Sequence, residues 1–63
     1  MTELFAPTLA DEIACVEREI ALRRHVYPRW VAAKRMTREK ADREIALMEA
    51  VARRLLAMQG TGG

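Results

Sequence analysis

Apolar residues return along this chain at alternating spacings of four and three. Leu9, Ile13, Val16 and Ile20 are followed by Tyr27 and Trp30, and Arg23 is the one polar member of the series. The same rhythm reappears in Ala41, Ile45, Met48, Ala52 and Leu55, with Val51 and Met58 beside it. Residues three and four apart are neighbours on a helix surface, so each series predicts an amphipathic α-helix with one stripe facing a partner. The ends are marked as well. Pro7 and Thr8 precede the first stripe, with Thr8 as a cap and Asp11 and Glu12 in the first turn, where the helix dipole favours acids. Thr37 is the corresponding cap of the second stripe, with Glu39 behind it, and Gly60 is placed as its stop. The expected elements are a flexible segment over 1–7, a helix over about 8–26, a bend with a short turn over about 27–36, a helix over about 38–59, and a disordered tail over 60–63.

The bend coincides with the sequence HVYPRWV at 25–31, which holds the only His, Tyr and Trp of the chain. A proline inside a helix removes a backbone donor and costs roughly 3 kcal/mol. One solution breaks the helix at Val26 and Tyr27 and lets Pro28 open a new turn at its first position. The other keeps a kinked but continuous first helix that reaches about Ala33. Both give an all-α fold, an antiparallel two-helix hairpin with the aromatic residues near its bend.

A lone hairpin has one seam and two exposed backs. Cys15 and Leu22 on the first helix, and Leu47, Val51 and Met58 on the second, lie off the seam by helical angle. They predict a second surface, most simply a homodimer in a four-helix arrangement, with Leu22, Leu47 and Val51 as contacts.

Composition adds limits. Sixty-three residues with 51% apolar and 32% charged side chains, and with no Ser or Asn, form one small helical domain with a modest core. A single cysteine cannot form an internal disulfide and fits a reducing, intracellular setting. No charged leader followed by an apolar run is present, and no stretch approaches the ~20 apolar residues that span a bilayer, so no signal peptide or membrane segment is expected. EREIAL at 17–22 and DREIAL at 42–47 echo one another, which shared helix chemistry explains as well as a repeat does.

Charge is segregated. Residues 1–17 hold Glu3, Asp11, Glu12 and Glu17 and no base, whereas 23–40 hold Arg23, Arg24, Arg29, Lys34, Arg35, Arg38 and Lys40 against Glu39 alone. The hairpin therefore has an acidic open end and a basic tip. Such a tip keeps a loop soluble and complements the helix dipole, and it also suits an anionic partner, either nucleic acid or an acidic protein surface. No helix-turn-helix or RNA-binding signature accompanies it. Tyr27 and Trp30 lie on the seam by spacing and so cap the hairpin core, or else form with Arg29 an exposed cluster of the residue types that dominate binding hot spots.

Catalysis is not expected. Cys15 and His25 are ten helical residues apart, about 15 Å along the axis, too far for a thiolate–imidazole pair. Cys15 reads as a packing residue and His25 as a surface or helix-end residue with slight pH sensitivity. Cys and His are too few for a zinc site, and there is no serine nucleophile and no Gly-rich phosphate loop. No cofactor is implied.

The run DEIACVEREIALRRHVYPRWVAAKRMT, followed by KADREIALMEAV, resembles a family of small helical proteins encoded by temperate phages and prophages of Gram-negative bacteria. VYPRWV and the following RMT are the most specific parts, and the likeness spans residues 11 to about 56. One member type of that family is a quorum-sensing anti-activator of Pseudomonas phages, a small helical dimer that binds a LuxR-type transcription regulator and the type IV pilus assembly ATPase. The resemblance implies a binder of a bacterial host protein in the host cytoplasm that acts by occupancy rather than by chemistry. Tyr27, Arg29 and Trp30 are the expected anchors, with Arg23 and Arg24 as their electrostatic rim. The alternative expectation is a phage accessory protein that binds nucleic acid.

Overall fold

The computed structural model describes residues 6–61. Two helices pack against one another, α1 (Leu9–Ala32) and α2 (Arg38–Thr61), and no strand occurs among the described residues. Residues 1–5 of the expected flexible segment, and Gly62 and Gly63 of the expected tail, lie outside the described residues.

The caps are where the sequence places them. Thr8 is extended, its hydroxyl accepts the Asp11 N–H at 3.1 Å, and its own N–H donates to the Asp11 carboxylate at 3.0 Å. This reciprocal box satisfies two donors that the first turn leaves orphaned, a stabilisation of about 1 kcal/mol. Thr37 does the same work for α2 with one bond, its hydroxyl accepting the Lys40 N–H at 3.1 Å.

Between the helices the chain reverses in five residues, 33–37. Arg35 N–H donates to the Trp30 carbonyl at 2.8 Å and Lys34 N–H to the Val31 carbonyl at 3.0 Å. Together these bonds close a Schellman motif, which requires a left-handed residue just after the cap. Lys34 takes that position with φ 61°, where glycine is the usual occupant.

The core is a single seam. Ile13, Ile20 and Tyr27 of α1 are buried, one every seven residues, and α2 meets them with the buried alanines Ala41 and Ala52. Leu9, Val16, Ile45, Met48 and Leu55 are half-buried along the same line. Large side chains on one helix and small ones on the other let the two axes approach closely. The core is nevertheless thin. Among the described residues no side chain is fully buried, and the surface left exposed is 5249 Å², against roughly 4100 Å² expected of a compact protein of this mass.

Two expectations are corrected. Of the two accommodations of Pro28 the continuous helix is the one found, so the first helix does not end near Val26 with a bend over 27–36. It runs through Pro28 to Ala32, and the turn is confined to 33–37. Proline's fixed φ is itself helical, so continuity costs one backbone bond and local crowding. A break at Tyr27 would instead expose a buried ring and forfeit the last turn. The second correction is at the other end, where Gly60 does not stop α2, which continues to Thr61.

Two substitutions probe these features. Pro28→Ala restores the missing bond to the Arg24 carbonyl and should stabilise the hairpin by about 2 kcal/mol, after allowance for the greater freedom of the unfolded chain. Thermal unfolding followed by circular dichroism should then show a midpoint raised by roughly 10 °C; a lower midpoint would mean that Pro28 is needed for the packing. Lys34→Gly relieves the left-handed backbone and should gain about 0.5–1 kcal/mol in the same assay.

Candidate interaction surface

The aromatic pair at the tip is divided between core and surface. Tyr27 is only 8% exposed, sealed in the seam, whereas Trp30, one turn later, is 41% exposed. Their ring centroids are 5.5 Å apart at 34°, so the buried ring supports the exposed one from below. Of the two places the sequence allowed for Tyr27, the ring takes the one in the hairpin core and offers little surface for contact. Its place is under Trp30.

The arginines divide as well. Arg23 donates through Nε to Glu19 at 2.9 Å and through Nη1 to the Glu44 backbone carbonyl at 3.2 Å, with the Glu44 carboxylate at 3.7 Å. Its guanidinium also lies 5.8 Å from the centroid of the Tyr27 ring. The hydrogen bond to Glu19 is the main cause of a pKa raised above the usual arginine value, and burial opposes it. Arg24 pairs with Glu49 of α2. Both arginines expected to form an electrostatic rim are thus neutralised within the chain, and they tie α1 to α2. Arg38 has Asp42 at 4.0 Å. By contrast, Arg29, Lys34, Arg35 and Lys40 are exposed and have no carboxylate within ion-pair distance among the described residues. Of these, only Arg29 was singled out from the sequence. The charge run contained the other three, but which members were already paired depends on α2 and could not be read locally.

The two ion pairs also fix the faces of the hairpin. Arg23–Glu44 bridges one side of the seam and Arg24–Glu49 the other. At 3.6 residues per turn, Cys15, Leu22, Val26 and Trp30 of α1 lie on the Arg23 side, together with Leu47, Val51 and Met58 of α2. Leu22, Leu47 and Val51 are 53%, 52% and 38% exposed. The opposite side is mixed: Glu17, Arg24, Glu49 and Arg53 rim a groove that Ile20, Ala21, Ala52 and Leu56 also line, and nearer the turn Pro28, Val31 and Ala32 lie across from Arg38 and Asp42. The face on the Arg23 side therefore carries most of the exposed large aliphatic side chains, around a charged network at its centre, and the other carries Leu56 alone of them. Among the described residues no three of His, Cys, Asp and Glu come together to hold a metal ion, and no helix is long and apolar enough to cross a membrane.

The division between the aromatic rings is testable by paired substitutions. Tyr27→Ala should cost about 3 kcal/mol or more, as for other buried aromatics. Trp30→Ala should stay within about 1 kcal/mol of wild type. Urea titration of each variant separates the two, and equal costs would mean that Trp30 belongs to the core.

Compared with known proteins, the chain matches no protein family, no curated protein and no solved structure.

Proposed function

We propose that this hairpin is a non-enzymatic binding protein that pairs with a second copy through its apolar face and grips a bacterial host protein with its tip. The carrying observation is the exposed Trp30, packed on buried Tyr27 at the end of the hairpin that also carries Arg29, Lys34, Arg35 and Lys40, cations without internal ion pairs among the described residues. An exposed tryptophan beside arginine is the usual make-up of a binding hot spot. Trp30 and Arg29 are the anchors, and Lys34, Arg35 and Lys40 replace Arg23 and Arg24 as the electrostatic rim. The sequence resemblance supports a host protein in the bacterial cytoplasm, acted on by occupancy within a phage programme. Its two first targets are a LuxR-type regulator, which would make this an inhibitor of quorum sensing, and the type IV pilus assembly ATPase. Specificity rests on few contacts, so relatives on one scaffold can differ in target.

The uncompensated cations also favour a second reading, nucleic-acid binding through phosphate contacts with Trp30 stacking on a base.

Titration calorimetry with each purified target separates these readings. A complex with either protein should weaken at least tenfold in an Arg29→Ala/Trp30→Ala variant whose circular dichroism is unchanged. Duplex DNA at 50 and 200 mM salt is the counter-test. Binding that falls steeply between the two salts, with neither protein bound, would replace the first reading by the second.

A further inference from the structure

We infer that the two copies stack apolar face on apolar face with their tips at opposite ends, so that each tip lies beside the open end of the other copy. This rests on the pairing proposed above and specifies its geometry. The argument begins with position along the hairpin. Leu22 lies near the middle of the 24-residue α1, and Leu47 and Val51 lie near the middle of the 24-residue α2. In a two-fold dimer the same patch contacts itself, so the axis passes through the centre of that patch. A stack of two hairpins leaves two choices, an axis running along the helices, which brings the tips together, or one running across them, which sends the tips apart.

Charge decides between the two. Counting from Arg23–Glu44 and Arg24–Glu49, Arg29 of α1 is level with Lys40 of α2. With the tips together, α1 of one copy lies over α2 of the other at the same level. Arg29 then faces the other copy's Lys40, and Lys34 and Arg35 of both chains crowd the same end. With the tips apart, α1 lies over α1 in reverse. Arg29 then falls opposite Asp11 and Glu12 of the first turn, where acid is already favoured by the helix dipole. At the centre both arrangements bring Glu and Arg side chains of the two copies together, so the ends of the contact carry the choice. Like charges are thus replaced by opposite ones at the end of the contact, where Arg29 lies.

The arrangement also shapes the binding surface. Helix α1 of one copy reaches as far as the last turn of the other's α1, so the 33–37 connection projects past it. Lys34 and Arg35 stay open, and Trp30 stands at the edge of the stack beside the other copy's first turn. Each end of the dimer is then a composite site, one tip plus one open end.

Electron spin–spin distance measurement on a Cys15→Ala/Ala33→Cys variant, spin-labelled at position 33 in the exposed turn, tests this. With the tips apart the labels are separated by about 25 residues of helix rise, about 35–40 Å. With the tips together the separation is a diagonal of the bundle, under about 20 Å plus the label arms. The long distance is expected, and the short one overturns the inference while leaving the pairing intact. A monomer mass by sedimentation with no dipolar signal overturns both. Arg29→Glu gives an independent reading: the dimer dissociation constant should rise at least fivefold if the tips are apart, and should fall if Arg29 faces Lys40.

Discussion

Everything in this molecule depends on one seam between two helices. Ile13, Ile20 and Tyr27 have no second layer beneath them, only α2, and α2 presents Ala41 and Ala52 so that the bulky side chains of α1 can press against its backbone. Since burial of apolar surface is the dominant favourable term in folding, a seam this narrow leaves little margin against the conformational entropy of 63 residues. The local devices therefore carry unusual weight. The Thr8–Asp11 box, the Thr37 cap and the Schellman closure at Lys34 each satisfy backbone groups that a larger domain would leave to water without consequence. The same narrowness explains why so many apolar side chains remain outside. A two-helix seam accommodates one stripe from each helix, and Leu22, Leu47 and Val51 belong to neither.

The sequence made much of this legible, because the information is local. Spacing of four and three identifies the stripes, and a threonine followed by acids identifies the helix starts. What it could not convey depends on residues distant in the chain. Pro28 looks like a breaker when its own neighbours are weighed, but the burial of Tyr27 against α2 keeps the helix going. Lys34 looks like an ordinary surface lysine, and only the closure of the turn puts it in the left-handed region. Tyr27 and Trp30 both match the seam spacing, yet Trp30 lies about 60° further round α1, so the first ring is enclosed and the second emerges.

Arg23 is the most instructive residue of this kind. As a lone cation in an apolar series it looks like an interruption. In the fold it is a clasp, holding a carboxylate of its own helix and a backbone carbonyl of the other while its stem fills the seam above Tyr27. The long-range half of that clasp, Glu44, sits in DREIAL, the segment that echoes EREIAL around Glu19. The echo thus supplies matching acids from the two helices to one arginine. It also splits the basic residues into two populations, those that hold the hairpin together and those that look outward.

Pro28 has a further consequence, for motion. Without its N–H the Arg24 carbonyl has no helical donor four residues on, so the segment from Pro28 to Ala32 is joined to the preceding turns by one bond fewer than any other turn of α1. Local opening begins where such bonds are fewest. That segment is the one that carries Trp30. The exposed ring is therefore mounted on the part of the helix most able to lift and resettle without disturbing Ile13 and Ile20, and amide exchange there should be decoupled from that of the central turns. A seam that holds the hairpin firmly at its middle leaves Trp30 on a compliant end.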